Sequence, residues 1–318
     1  MSERIQQAVA VPLAQAGLRL DVAAAALWPT YSRAQLQQWV KAGALTCNGQ
    51  ASRPRETVRA GDVLQLNAEP VKREDWSAQA LPLQVVYEDE ALLVINKPVG
   101  MVVHPAAGTR DGTLLNALLH YDPALAALPR AGIVHRLDKD TSGLLVVARQ
   151  LAACTALVRQ LQARTVLREY EAIACGVLTG GGTVDAPVGR HPRDRVKMAV
   201  VAGGKPAVTH YRVVTRFARH THIKLKLETG RTHQIRVHMA HLGYPLLGDR
   251  VYGARLLPLS QADASLLAQL QTYPHQALHA ARLGLVHPES GEALCWQAPL
   301  PVDMQALLTA LHANASGA

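Results

Sequence analysis

The stretch AGIVHRLDKDTSGLLVVAR, residues 131–149, constrains the fold most, because it places a charged loop between two apolar segments. The apolar run after the loop predicts a buried strand, and Ile133 and Val134 precede the loop. The ionisable residues between them carry both signs of charge: His135, Arg136, Asp138, Lys139 and Asp140. From spacing alone, a charged turn between strands and an active-site loop are both open interpretations.

A small module precedes this region. Apolar residues at helical spacing predict one helix in RLDVAAAALW and a second in YSRAQLQQWVKAG. Asn48-Gly49 predicts a hairpin turn between short strands, and GDVLQLN predicts a further strand. The polar, proline-bounded segment AEPVKREDWSAQALP has no sustained periodicity and predicts a linker. We therefore expect two domains.

The larger second part begins near Leu83 and mixes predicted strands with predicted helices. Strand patterns occur in LQVVYEDEALLVINKPVG, GLLVVAR, VLREYEAIACGVL and HIKLKLETG, and the last has apolar residues on one face and basic residues on the other. Helix patterns occur in TLLNALLHY, LAACTALVRQLQAR and RTHQIRVHMAHLG. Thr113 and Thr232 are the expected N-caps of the first and third helices. Together the patterns predict the α+β class.

Positive charge is concentrated in residues 190–241. This segment carries 12 lysines and arginines against two acidic residues, whereas the whole chain has a net charge of +9. Seven of the 14 histidines lie in the same segment. So local an excess of positive charge indicates a polyanionic partner, RNA or DNA by default. A solvated basic face without a partner is the alternative.

Other chemistries find little support in the sequence. His233, His238 and His241 lack the i,i+4 spacing with an intervening glutamate that zinc hydrolases use, and Arg231 and Arg236 would repel a cation. We find no nucleotide-binding glycine loop and no nucleophilic serine elbow. The four cysteines have no metal or disulfide spacing, and no apolar run approaches the ~20 residues of a membrane span. We expect no metal, no membrane association and a reducing, cytoplasmic setting.

Four motifs, in order along the chain, carry a resemblance to a known family. GIVHRLDKDTSGL resembles the signature of the RluA-type pseudouridine synthases, in which the aspartate of H-R-L-D is catalytic. VINKPVGMVVHP, LREYEA and LETGRTHQIRVHMAHLGYPLLGDRVYG resemble the other blocks of that family. RLDVAAAALWPTYSRAQLQQWVKAGALTCNG resembles an S4 RNA-binding module. The resemblance implies an S4 domain over residues 18–78 and a catalytic domain over residues 83–312, the latter with a central, mostly antiparallel sheet flanked by helices.

The resemblance assigns roles to five side chains of the catalytic domain. It makes Asp138 the catalytic carboxylate and Arg231 the partner that pairs with it. Tyr170 would stack on the uracil ring and help to move the C5 proton. Arg136 would enter the RNA where the target nucleotide leaves the stack, and Ile235 would line the uracil pocket. Taken singly, the two arginines could be surface cations and the tyrosine an ordinary strand residue.

The resemblance also implies a substrate. The partner would be RNA, namely a stem-loop of 23S rRNA (helix 69) in the large ribosomal subunit or its precursor, modified by a monomer. Isomerising uridine oxidises nothing, so we expect no cofactor and no metal. Other rRNA or tRNA uridines, or a non-catalytic rRNA-binding assembly factor, are the alternatives. In the S4-like module the candidates for RNA contact are Ser32, Arg33, Lys41, Arg53 and Arg55.

Overall fold

The computed structural model shows the chain as two compact units, residues 1–75 and residues 76–318. Both combine helices with antiparallel strands, which confirms the predicted α+β class. Among the helices of the described residues, none is both long and apolar enough to cross a lipid bilayer. The structure describes residues 4–29, 31, 33–69, 76–105, 108–253 and 264–316.

The first unit is a three-stranded antiparallel sheet packed against two helices. The strands are β1 (Ile5–Ala10), β2 (Leu45–Cys47) and β3 (Val63–Ala68), in the order β1-β3-β2. The helices are α1 (Leu20–Leu27) and α2 (Arg33–Lys41), where apolar periodicity predicts them. Leu20, Leu36 and Leu64 are buried in one shared cluster, so a single small core holds the unit together.

The predicted hairpin turn lies where expected, directly after β2. Asn48 and Gly49 have left-handed φ values of 52° and 73°, which asparagine and glycine adopt more easily than other residues. Asn48 Oδ1 also accepts the Val63 N–H at 2.8 Å. The turn is therefore fixed against the strand that follows it.

A nine-stranded sheet forms the centre of the second unit. Its strands are β4 (Val85–Glu88), β5 (Leu92–Lys97), β6 (Ser142–Ala148), β7 (Leu167–Cys175), β8 (Gly182–Asp185), β11 (Val208–Arg216), β12 (His220–Leu227), β13 (Leu278–Val286) and β14 (Ala293–Gln297). A separate hairpin consists of β9 (Val188–Arg190) and β10 (Met198–Val200). The order across the large sheet is β4-β5-β6-β13-β7-β12-β11-β8, with β14 beside β13. Among the described residues, β6 and β13 are the one parallel pair of this sheet, so the predicted mostly antiparallel sheet is confirmed.

The described residues of the second unit also form five α-helices. They are α3 (Leu114–Tyr121), α4 (Leu151–Gln162), α5 (Gln234–His241), α6 (Ala264–Thr272) and α7 (Val302–Ser316). Thr113 caps α3 as predicted: its hydroxyl accepts the Asn116 N–H, and the Asn116 side chain accepts the Thr113 N–H. This reciprocal box satisfies two backbone donors that a helix start leaves without partners.

The predicted cap of α5 is wrong. Thr232 is exposed, and the residue before the first helical turn is His233, whose φ of 56° is left-handed. The buried side chain of Gln234 organises the turn, because its Oε1 accepts the Arg231 N–H at 2.9 Å and the Thr229 hydroxyl at 2.7 Å. The helix therefore begins one residue later than a threonine cap predicts.

The basic face predicted for β12 is only partly present. His222 is buried, and its Nε2 lies 2.8 Å from a carboxylate oxygen of Glu171 on the neighbouring strand β7. Lys224 pairs with the other oxygen of Glu171 at 3.1 Å. Lys226 is exposed. Glu171 neutralises part of the positive charge on this face of β12. The face therefore presents less positive charge to a polyanion than the sequence predicts.

The main apolar core lies directly behind the charged loop with which the sequence analysis began. β6, which follows that loop, is buried along its whole length. The large apolar cluster against it includes Leu137, Tyr170 and Ile235. The packing that stabilises the unit therefore also fixes two of the residues singled out from the sequence.

Candidate active site

One cavity of the second unit, with a volume of about 750 Å³, contains the residues predicted from the catalytic motifs. Its walls are the loop before β6, the beginning of β7 and the turn that leads into α5. The predicted side chains that line it are Arg136, Asp138, Tyr170, Arg231 and Ile235. The structure thus brings together side chains from three distant segments of the chain.

Positive charge dominates the described lining of this cavity. Its carboxylates are those of Asp138 and Glu228. Its guanidinium groups are those of Arg130, Arg136, Arg164, Arg168, Arg231 and Arg236. Guanidinium groups match the geometry of phosphate oxygens, so an RNA backbone is a fitting ligand for such a cavity.

The loop that carries Asp138 is tied to the loop after β5 by Lys97. The ammonium group of Lys97 is buried and donates to the carbonyl oxygens of Pro98, Met101 and Lys139, at 2.7, 3.0 and 3.0 Å. Lys139 directly follows Asp138. The three bonds therefore hold the backbone next to the candidate catalytic carboxylate.

Sequence reasoning did not single out Lys97. Burial lowers its pKa to about 7, against the opposing charges of Asp140 and Asp138. Lysine is among the residues least often buried, so periodicity assigns it to the surface. Its place in the quoted block VINKPVG was the one available signal.

Asp138 is held by an arginine other than the predicted one. Arg236 Nη1 lies 3.1 Å from Asp138 Oδ2. The same guanidinium makes a two-pronged contact with the fully buried Asp249, from Nε to Oδ2 at 2.7 Å and from Nη2 to Oδ1 at 2.9 Å. Asp249 thus fixes the plane of the guanidinium, and Arg236 presents its remaining edge to Asp138.

The predicted pairing of Arg231 with Asp138 is wrong. Arg231 is half-buried, and its Nε donates to the Pro206 carbonyl at 3.1 Å. Arg231 lies before the loop that leads into α5. Arg236 lies in the first helical turn of α5 and is buried beside Asp138. Arg231 still lines the cavity, so a substrate contact remains a prediction for it.

Sequence reasoning also missed Arg236 as a partner of Asp138, together with its own partner Asp249. The apolar stripe of α5 includes Ile235 and Met239, which places Arg236 next to the buried face rather than opposite it. That position was a usable signal. The pairing with Asp249 depends on how the chain returns after α5, which helical periodicity does not encode.

His233 lies beside the other oxygen of Asp138. Its Nε2 is 3.9 Å from Asp138 Oδ1, and its Nδ1 is 2.8 Å from the Tyr252 hydroxyl. The Tyr252 ring also lies 5.0 Å from the guanidinium carbon of Arg236, a cation–π distance. Asp138 therefore sits between a histidine and an arginine that both contact the same tyrosine.

Tyr170 faces the cavity from β7 and is 6% exposed. Burial raises the pKa of its hydroxyl to about 12, with a smaller opposing effect of Arg168. The hydroxyl is therefore protonated at neutral pH. Arg168 lies two residues earlier on the same face of β7 and donates from Nη2 to the Glu228 carbonyl at 3.0 Å.

The three neighbouring histidines have separate environments. His233 borders the cavity, His238 is buried with partners Thr209 and Ala186, and His241 is exposed. In the parts of the chain that the structure describes, no three His, Cys, Asp or Glu side chains are grouped to hold a metal ion.

The candidates for RNA contact in the first unit divide into three groups. Ser32 lies outside the described residues. Lys41, Arg53 and Arg55 are exposed. The side chain of Arg33 is 49% exposed, and its Nη2 lies 2.7 Å from Oδ2 of the buried Asp21. Arg33 is thus partly committed to an internal ion pair.

Comparison with known proteins agrees with this geometry. Residues 91–241 match the RNA pseudouridylate synthase family, and residues 18–64 match the S4 domain. The chain is 57% identical to the ribosomal large subunit pseudouridine synthase D of Pseudomonas aeruginosa, over 98% of both chains. It is 50% identical to the protein of the same name from Escherichia coli strain K12, over 99% of this chain and 97% of that one.

Two solved structures resemble this chain over most of its length. Human RNA pseudouridylate synthase domain containing 4 has 28% identity and a TM-score of 0.56, over 72% of this chain and 93% of that one. Human RNA pseudouridylate synthase domain containing 1 has 26% identity and a TM-score of 0.55, over 74% of this chain and 97% of that one. Both likenesses support the fold and the family.

Proposed function

The chain belongs to the RNA pseudouridylate synthase family, and on that basis we propose that it converts uridines in the helix 69 stem-loop of 23S rRNA to pseudouridine. It is an RNA pseudouridine synthase, an isomerase. Relatives of nearly equal length are named for the large ribosomal subunit, which supports this substrate. The observation that carries the assignment of the site is the ion-paired Asp138 at the wall of an arginine-lined cavity.

The reaction rearranges bonds within one nucleotide. The bond from ribose C1′ to uracil N1 breaks, the uracil turns, and a bond forms from C1′ to C5. The proton on C5 is exchanged for one on N1, so atoms and electrons balance without an oxidant. We assign the reacting carboxylate to Asp138, which can attack the sugar or the base or remove a ribose proton. Arg236 orients this carboxylate through Oδ2 and leaves Oδ1 facing His233.

The target uridine has to leave the RNA stack to reach Asp138. Flipping a nucleotide costs a few kcal/mol, and loops reduce that cost because their bases are already partly unstacked. Arg136 is exposed at the cavity, which suits a side chain that fills the space left by the flipped base. Phosphate contacts from Arg231 and from the exposed arginines of residues 190–195 offset the remaining cost.

The detached uracil must be retained while it turns. We assign this to Tyr170, whose ring offers a stacking surface, and to Ile235, which is buried and supplies an apolar wall. Both lie in the main apolar cluster, so neither side chain is free to move aside. The plainer interpretation of Tyr170 as a core residue predicts that its loss affects stability more than turnover.

The first unit supplies further RNA affinity in this proposal. We propose an S4 RNA-binding domain over residues 18–78 and a catalytic domain over residues 83–312. Lys41, Arg53 and Arg55 are the exposed phosphate contacts. Arg33, held by Asp21, is a pre-oriented one. We further propose that the protein acts as a monomer in the cytoplasm, where ribosomal subunits assemble.

Mapping of pseudouridines tests the proposal. Total RNA from a strain that lacks the protein is compared with RNA from strains restored with the wild type or with Asp138→Asn. We expect the deletion to remove pseudouridines from the helix 69 stem-loop, the wild type to restore them and Asp138→Asn to leave them absent.

Three other results of this mapping would each contradict a different part of the proposal. Loss of pseudouridine at a different rRNA or tRNA position would refute the helix 69 target and keep the enzyme. An unchanged map in the deletion strain would favour a non-catalytic assembly factor. Full restoration by Asp138→Asn would exclude Asp138 as the reacting group.

A further inference from the structure

The backbone of His233 has a left-handed conformation, with a φ of 56°. His233 is one of five residues other than glycine with positive φ in the described chain, and it occupies the cap position of α5. Left-handed conformations cost such residues about 1 kcal/mol or more and persist where the surroundings hold them. Here the result is that the imidazole lies between Asp138 and Tyr252.

The hydrogen bonds of Tyr252 define the tautomer of His233. The Met198 N–H of β10 donates to the Tyr252 hydroxyl oxygen at 2.8 Å. We infer that the hydroxyl proton is directed to its other neighbour, His233 Nδ1, which lies 2.8 Å away. Nδ1 is then the acceptor, and the imidazole proton resides on Nε2. That proton faces Asp138 Oδ1.

The surroundings of the ring favour its neutral form. Burial lowers the pKa of His233; the negative charges of Asp138 and Asp249 raise it, and the positive charges of Arg236 and Arg136 lower it. The net direction is downward from the ordinary histidine value. At neutral pH the imidazole is therefore an uncharged donor rather than a second cation beside Asp138.

We propose that His233 is a positioning residue for Asp138, with Tyr252 selecting the tautomer that lets it donate. The inference rests on the role of Asp138 in the proposed function. The distance of 3.9 Å from Nε2 to Oδ1 exceeds a hydrogen bond, and such contacts often shorten when substrate fills a site. With uridine bound, Arg236 on Oδ2 and His233 on Oδ1 hold the carboxylate at two points and prevent its rotation.

Tautomer and titration are measured directly by NMR on protein with 15N-labelled histidine. We expect the wild type to show a neutral Nε2–H ring for His233 near pH 7, identified by its loss in His233→Asn. In Tyr252→Phe the donor to Nδ1 is removed, so both tautomers become populated and the His233 pKa rises. An Nδ1–H ring in the wild type, or an unchanged ring in Tyr252→Phe, would overturn the proposal.

Steady-state kinetics separate positioning from structure. His233→Asn suits a left-handed backbone but is too short to reach Asp138, so we expect kcat to fall about tenfold with KM unchanged. A glutamine amide reaches about as far as Nε2, so His233→Gln is expected to recover most of that loss. Tyr252→Phe, which removes one oxygen and keeps the ring under Arg236, is expected to lower kcat about fivefold. Equal rates for the Asn and Gln variants would contradict the proposal.

Matched controls lie on another helix. Tyr121→Phe removes a hydroxyl that donates to Glu88, and His120→Asn changes an exposed histidine; both are expected to keep wild-type kcat. If the wild type itself forms no pseudouridine, the proposed function fails and the kinetic comparison has no baseline, while the NMR result still decides the tautomer. If the wild type is active and Asp138→Asn is impaired while the His233 and Tyr252 variants are not, the inference on His233 is wrong and the proposed function stands.

Discussion

Each unit of the molecule encloses an aspartate with arginines, yet the two carboxylates are held differently. Asp21 in the first unit is fully buried and accepts hydrogen bonds from Arg19, Arg33 and Gln37. Asp138 in the second unit is 16% exposed and accepts one arginine bond, from Arg236. Both oxygens of Asp21 have donors, whereas Oδ1 of Asp138 lies 3.9 Å from His233 Nε2, which is beyond hydrogen-bond distance.

The difference separates a structural carboxylate from a reactive one. A fully buried carboxylate with donors on both oxygens orders its partners and is closed to a substrate. Asp21 in this way orders Arg19 and Arg33 at the surface of the first unit. Asp138 keeps one oxygen toward the cavity, so its incomplete set of donors is the feature that suits it to chemistry.

The largest expected effect is on catalysis by Asp138→Asn. The amide keeps the shape of the side chain but cannot act as a nucleophile or base, so we expect the rate to fall by about a thousandfold or more. Single-turnover assays with a helix 69 RNA measure this loss, and thermal unfolding shows whether the fold persists. Because Arg236 remains paired with Asp249, the midpoint of unfolding should change little. A large drop in stability would place Asp138 with Asp21 as a structural residue.

Replacing each of the two arginines by lysine, one at a time, tests which of them holds Asp138. Arg236→Lys loses the fork that spans Asp138 and Asp249, so we expect kcat to fall about a hundredfold. Arg231→Lys keeps a cation at the cavity wall, and we expect mainly a KM about three to five times higher, as for a phosphate contact. Steady-state kinetics on the same RNA compare them. The reverse ranking would restore the pairing that the motif resemblance implies.

Asp21→Asn tests the structural carboxylate. It leaves Arg19 and Arg33 without their shared partner, and breaking a buried ion pair costs about 3 kcal/mol, reduced here to about 2 kcal/mol because both arginines are partly exposed. Hydrogen exchange measured across a series of urea concentrations should localise the loss in the free energy of unfolding to the first unit. The rate at saturating RNA should stay close to wild type. Loss of activity without loss of stability would reverse the assignment of Asp21.

The two units should also respond differently to acid. Burial lowers the pKa of His220 to about 4, so below pH 6.5 the unfolded chain binds a proton that the folded second unit does not. His220 alone should lower the stability of the second unit by about 2 kcal/mol between pH 6.5 and pH 5, and His135, whose pKa burial lowers to about 3, adds to this fall. Residues 1–75 contain no histidine. Burial raises the pKa of Asp21, but its hydrogen bonds outweigh burial and lower it, so its contribution is lost only below pH 3.8.

Hydrogen exchange at pH 7 and pH 5, corrected for the intrinsic exchange rate, compares the two units in one experiment. His220→Asn removes one of the titrating rings of the second unit and should reduce its loss of stability by about 2 kcal/mol, while the other buried histidines still titrate. Equal acid sensitivity in both units, or an unchanged slope in His220→Asn, would show that other groups control it.

Much of the molecule could be predicted from short patterns. The strand β6, the capped helix α3 and the Asn48-Gly49 turn are each indicated by a pattern within a few residues, which periodicity and residue type report. The cavity residues Asp138, Tyr170 and Ile235 came from motifs in a known order, and the structure places them in one cavity. Their roles stay predictions until the variants above are measured.

The sequence by itself determined the helices and strands, because helical and strand periods and turn residues act locally. Its motifs, through their resemblance to a known family, also implied which segments meet at the site. Only the tertiary structure decided which arginine pairs with Asp138. Arg231 and Arg236 lie five residues apart in one motif, and the turn around Gln234 separates them. Which arginine reaches Asp138 depends on the direction of α5 after that turn. It depends also on Asp249, which lies after α5 in the chain and pairs with Arg236. Such long-range geometry is set by packing, and packing joins residues that no local pattern connects.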